Sequence, residues 1–312
     1  MKRYIVSRGY DWTWFLLPPL ASLLLAAIAA QTAFFDDTLL GDGPDALSTV
    51  VIGVVIHAHL VAVFIRSHGN EQVFARHRVR FVVVPIAVWL ALIASDWLSA
   101  LAVVVVTFWD VWHSGAQTFG LARIYDRNAG NPPQLGRRLD LAMNQLLYAG
   151  PILAGVTLAP HLDSFDGFWN AVPAQVLGWQ RWIAIAVVVS GLLLTIVYVS
   201  AHVRWAKQGH RISPQKVFLV ASTGLCSIVS WTFNPWGEAF FIMNLFHAVQ
   251  YLALVRAVER CTLVSLAACV VYGVWADQLD PDRHALWALT IVVSLMHFWY
   301  DGFIWSVRAK HV

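Results

Sequence analysis

Ten apolar runs divide almost the whole chain, at about residues 14–31, 47–65, 81–95, 97–121, 139–158, 182–203, 217–233, 239–255, 261–275 and 285–307, with short polar connections between them. A helix needs about 20 apolar residues to cross the hydrocarbon core of a bilayer, and in lipid every backbone polar group has to be satisfied within the segment. Runs of this length that are apolar on all sides therefore predict an all-α, polytopic transmembrane bundle. The third and ninth runs are short, and the turn at Asp96 can also belong to one kinked helix, so the expected number is eight to ten. Composition agrees: of 312 residues 59% are hydrophobic and 12% charged, and the mean hydropathy is +0.63. No repeat, low-complexity segment or linker interrupts the pattern, which predicts a single integral-membrane domain over residues 1–312.

Charge alternation orients the runs. Short cytoplasmic loops collect Lys and Arg. With ten spans and an inside N-terminus, 19 of the 21 basic residues fall in alternate connections, and only Arg181 and Arg283 fall on the other side. Acids gather there instead: Asp36, Asp37, Asp42, Asp45, Asp163, Asp166, Asp277, Asp280 and Asp282. The expected topology has both termini inside, in an integral membrane protein of the bacterial cytoplasmic membrane. The net charge of +3 then follows from topology and gives no reason to expect nucleic-acid binding. The N-terminal basic start, apolar core and small residues also resemble a cleavable signal, whose removal would leave nine helices in the same orientation. Cys226, Cys261 and Cys269 lack a CxxC spacing and predict no disulfide framework.

Against this apolar background the ionisable residues stand out, because such side chains are costly in lipid and those present usually face the bundle interior. The second run carries IHAHL with His57 and His59, and the fourth FWDVWHSGAQTFG with Asp110, His113 and Gln117. The eighth carries MNLFHAVQYL with Asn244, His247 and Gln250, and the tenth MHFWYDG with His297 and Asp301. His57, His113, His247 and His297 stand at similar distances before the first arginine after each run, so at about 1.5 Å per residue they share one depth near the bilayer middle. His59, Gln117, Gln250 and Asp301 fall about one turn nearer the basic end. The pairs His113/Gln117 and His297/Asp301 are spaced i,i+4, and Asp110/His113 and His247/Gln250 i,i+3, so each pair lies on one helix face. His57 and His59 point in nearly opposite directions, so only one of them can enter a common site.

Several imidazoles with one or two carboxylates suit a transition metal, and a carboxylate with histidines and open positions is the usual setting for non-haem iron and dioxygen. The expected metal ligands are His57 or His59, His113, His247, His297 and Asp301. Asp301 and Asp110 are the candidate catalytic carboxylates, Asp110 also as an acceptor fixing an imidazole tautomer, and Gln117, Gln250 and Asn244 are expected to orient ligands or a bound water. Iron is the expected metal, with copper second and haem b as a further possibility. The expected function is a membrane-embedded, metal-dependent oxidoreductase, specifically a non-haem iron oxygenase acting on a lipidic or isoprenoid substrate. Membrane lipids, and a redox partner or a second copy of the chain, are its expected partners.

Two other readings compete: a b-type cytochrome with bis-histidine haem, and a proton- or ion-coupled transporter using the His/Asp layer as a relay. The loop histidines His68, His77, His161, His202, His210, His284 and His311 read as solvated surface. The segment RSHGNEQVFARHRVR reads as a basic stretch at the headgroup level.

Overall fold

In the computed structural model the described residues are 3–36, 46–259, 263–279 and 282–305, and among them every regular element is helical. The main helices are α1 (Pro18–Ala29), α2 (Leu47–Ser67), α3 (Glu71–Ala94), α4 (Asp96–Asn128), α5 (Arg137–Ala154), α6 (Gln180–Lys207), α7 (Pro214–Phe233), α8 (Trp236–Glu259), α9 (Leu263–Asp277) and α10 (His284–Ile304). Seven of these, α2 to α4, α6 to α8 and α10, are long and apolar enough to cross a membrane. Two bent pairs, Arg8–Leu16 with α1 (53°) and α5 with Leu158–Trp169 (101°), raise the number to nine if each is one span, and α9 is a shorter apolar helix. These long apolar helices mark an integral membrane protein. Arg260, Cys261, Arg308, Lys310 and His311 lie outside the described residues; Cys226 and Cys269 are both buried.

Local chemistry explains the boundaries. Ser95 is extended (φ −154°, ψ 112°), and Ser99 Oγ donates to Leu92 O across the corner, so Asp96 opens a new helix rather than continuing a kinked one. The N-terminus of α7 is set by Ser213, whose Oγ accepts from Lys216 N, with Pro214 in the first turn. Gly136 precedes α5 at φ +68°, where a Cβ would come within 2.7 Å of the Trp205 ring, so both backbone and space call for glycine.

The sequence predicts one domain; packing groups the chain into two compact units. The first comprises Met1–Ile28, Val111–Asp163 and Ala171–His247, the second Ala29–Asp110, Ser164–Asn170 and Ala248–Val312, so α4 and α8 each contribute to both. In the first unit α5 packs against α6 and α7. Its N-terminal turn is pinned by buried Asp11, which accepts from Ile5 N (2.6 Å), Val6 N (3.0 Å) and Tyr125 Oη (2.9 Å).

In the second unit α2 packs along α9, and α10 packs against α2 and α3. The core there joins Ala58, Phe81, Tyr251, Cys269, Met296 and Tyr300. The close approach of α2 and α9 depends on Gly273, where a Cβ would overlap the Val54 carbonyl. Gly273→Ala is accordingly expected to cost about 1–3 kcal/mol by overpacking. A fall of several degrees in the thermal midpoint in detergent would show this, with Gly120→Ala, whose Cβ meets open space, as the unaffected comparison.

Candidate metal centre

Buried histidine and aspartate side chains come close enough among the described residues to hold a metal ion. In the second unit the central residue is His297, fully buried on α10. Its Nδ1 lies 3.0 Å from the Leu60 carbonyl oxygen. A carbonyl can only accept, so Nδ1 carries the proton and Nε2 presents its lone pair. That lone pair faces Asp301 Oδ2 at 3.7 Å, one helical turn further along α10. The other carboxylate oxygen, Oδ1, is held by two donors, Tyr251 Oη at 2.9 Å and Trp305 Nε1 at 2.8 Å.

Two acceptor atoms 3.7 Å apart are too distant for a good hydrogen bond. They are well spaced for bonds of about 2 Å to one metal ion at a broad angle. His59, also buried, brings its ring edge-on to His297 with centroids 5.0 Å apart, and Tyr251 closes the group at 4.6 Å from the His297 ring. Beyond Trp305, the Arg66 guanidinium stacks on the indole at 4.4 Å, pairs with Glu259 and donates from Nε to the Ile304 carbonyl at 3.2 Å. The basic end of the site is therefore tied down from three helices.

In the first unit His113 on α4 and His247 on α8 form a second pair, both buried, with ring centroids 5.3 Å apart in an edge-to-face arrangement. Gln117 Nε2, one turn along α4, donates to the His247 carbonyl at 3.1 Å. This fixes the α8 backbone at the histidine. Gln250 is buried one turn after His247 on α8, and Asp110 is half-buried one turn before His113 on α4.

The remaining expected residues are placed differently. His57 turns back on its own helix, Nδ1 to Gly53 O at 2.9 Å, so of the two α2 histidines it is His59 that meets His297. Asn244 Nδ2 donates to Phe240 O at 2.9 Å within its own helix. The reading of loop histidines as solvated surface needs correction at several positions. His161 is buried between the Trp231 and Trp236 rings. His68 is half-buried against Phe64, Phe74 and Phe81, and burial holds its imidazole pKa below the ordinary value although Phe81 O accepts from its Nε2.

Sequence reasoning missed a buried ionic network in the first unit. The connection after the fourth run reads as a basic loop, but α4 continues to Asn128, and Arg123, Asp126, Asp140 and Lys216 are all buried. Arg123 pairs with both aspartates, and Lys216 Nζ lies 2.8 Å from Asp140 and 3.4 Å from Asp126. Tyr198 Oη donates to Asp140 at 2.9 Å. His202 Nδ1 donates to the Tyr198 carbonyl, so its Nε2 accepts from Lys216 at 3.3 Å. The available signal is the presence of two acids, Asp126 and Asp140, inside an otherwise basic stretch. Compared with protein-family models, curated proteins and solved structures, the chain shows no significant match, so its function has to be read from these side chains.

Proposed function

We propose that the chain is a membrane-embedded, metal-dependent oxidoreductase of the bacterial cytoplasmic membrane, and specifically a non-haem iron oxygenase acting on a lipidic or isoprenoid substrate. The observation that carries this reading is the His297–Asp301 pair. A backbone carbonyl fixes the imidazole tautomer, two donors fix one carboxylate oxygen, and His297 Nε2 and Asp301 Oδ2 face each other at 3.7 Å. Such outer contacts are what orient metal ligands and raise their basicity.

In this reading His59, His297 and Asp301 hold the ion. A bound redox metal supplies the dioxygen activation that these side chains cannot supply themselves. Tyr251 and Trp305 keep Asp301 aimed, while Met296 and Phe298, both buried beside His297, exclude water. The substrate class follows from the surroundings: a site at this depth in apolar helices is reached from the lipid phase.

The test is elemental analysis with an optical spectrum on gently purified wild type and His113→Ala protein. Stoichiometric iron without a Soret band supports the oxygenase reading. Its loss in His113→Ala would assign the α4–α8 pair to the metal, and retention would leave that pair outside the ligand set. A Soret band would move the protein to the b-type cytochromes, and metal-free protein that does not rebind metal would leave the proton relay.

A further inference from the structure

Tyr272 of α9 carries a hydroxyl that the proposed chemistry does not use. Its oxygen is covered from solvent and has no hydrogen-bond partner among the described residues. The ring packs into a small apolar cluster of the second unit, in which Leu60 of α2 and Val293 and Phe298 of α10 are buried, and Ile56 of α2 and Val106 and Trp109 of α4 are half-buried. This cluster adjoins the candidate metal centre: the Leu60 carbonyl accepts from His297 Nδ1, and the Phe298 ring lies 5.6 Å from the His297 imidazole.

The hydroxyl points the wrong way for a membrane tyrosine. Near a helix end such a residue ordinarily turns its oxygen out to the headgroups and keeps its ring among the chains. Tyr272 as a whole is half-buried while its oxygen is covered, so what reaches the lipid-facing surface is carbon. A buried O–H without a partner forfeits the bonds it makes in water, and phenylalanine would fill the same space without that cost. Water is a poor remedy, because a buried water needs about two to four polar contacts, and apart from the Trp109 indole N–H every other side chain of the cluster is hydrocarbon. One oxygen on an apolar body fits instead. It meets the hydroxyl at one point and hydrocarbon everywhere else. The cluster contains no charged side chain, so a carboxylate or ammonium head would be buried there without a counter-ion.

We propose that Tyr272 is the residue that recognises the substrate's polar end, and that the substrate is a long-chain or isoprenoid compound whose single polar group is an uncharged oxygen, an alcohol or the corresponding carbonyl. The proposal rests on the reading of a lipidic substrate at the metal centre and narrows it. The chain arrives from the lipid past the half-buried members of the cluster, and the Tyr272 hydroxyl donates to the oxygen. Tyr272 is thereby a binding residue, and the chemistry stays with His297 and Asp301.

The experiment uses the full chain in detergent and three isoprenoid probes with one carbon skeleton, phytanol, the hydrocarbon phytane and the acid phytanate, each titrated at matched mole fraction in the micelle while the thermal midpoint is read. At about 100 times its dissociation constant, phytanol is expected to raise the midpoint by about 5 °C. Phytane binds about fivefold more weakly, the share of one hydrogen bond, and phytanate gives no shift. Tyr272→Phe weakens phytanol about fivefold and leaves phytane unchanged. It does not lower the midpoint of the ligand-free protein, because no protein group loses a bond. Equal affinity for phytanol and phytane, equal phytanol affinity in wild type and Tyr272→Phe, or tighter binding of phytanate would overturn the proposal. A ligand-free midpoint several degrees lower in Tyr272→Phe would also overturn it, by giving the hydroxyl a partner in the protein. The comparison of probes on wild type stands whatever the variant does. Binding is read without metal or dioxygen, so the two readings fail separately: metal-free protein that prefers phytanol to phytane keeps this site and loses the oxygenase, and iron-loaded protein with no such preference does the reverse.

Discussion

His297→Ala protein is expected to purify with less than about a tenth of the metal carried by wild type, because losing even a supporting contact of a metal ligand costs about 10- to 100-fold in affinity. The expectation rests on what His297 does in the fold. Its Nδ1 is committed to the Leu60 carbonyl and its Nε2 faces Asp301, so the alanine variant loses the nitrogen that would hold the ion beside the carboxylate. His57→Ala is the discriminating control: its ring bonds its own helix at Gly53, and the variant should keep its metal. The two measurements together separate a metal ligand from a histidine that merely packs. Equal metal content in wild type and His297→Ala would remove the centre from the second unit. Since the alanine also leaves the Leu60 carbonyl without its side-chain partner, His297→Gln should accompany it, to show that metal loss occurs in folded protein.

Asp140→Ala is expected to be the most destabilising single change in the ionic network, at about 3–5 kcal/mol, the usual consequence of stranding buried charge. Asp140 is fully buried and faces both Arg123 and Lys216, and it also accepts from Tyr198. Its removal leaves two buried cations with Asp126 alone. The thermal midpoint in detergent should fall by about 10 °C. Adding Lys216→Met to Asp140→Ala should recover much of the loss, because it restores the charge balance around Arg123 and Asp126. A midpoint for Asp140→Ala within a degree of wild type would show that the network is not a stabilising element.

The apolar runs, the alternation of basic and acidic connections and the polar residues on four of the helices are legible in the amino-acid sequence alone. The site is legible there only in outline. Spacing puts His57, His113, His247 and His297 at one depth, but it does not show that the ring beside His297 is that of His59, or that His113 meets His247 edge to face. Choosing between His57 and His59 requires the tightened turn at Ala62, whose N–H bonds the His59 carbonyl three residues back, and the reach of His57 to Gly53. Tyr251 and Trp305 read in the sequence as two more apolar rings, and in the fold they hold Asp301.

The reason is physical. Hydropathy and charge are properties of each segment by itself, since lipid and water test each helix separately, so the sequence determined that this is an all-helical membrane protein and which helices carry its ionisable groups. A hydrogen bond such as Leu60 O to His297 Nδ1 joins residues far apart in the chain. The burial of Arg123, Asp126, Asp140 and Lys216 likewise depends on how α4, α5 and α7 meet. Only the tertiary structure could decide which lone pairs converge, which histidine turns inward and which charges are hidden from water.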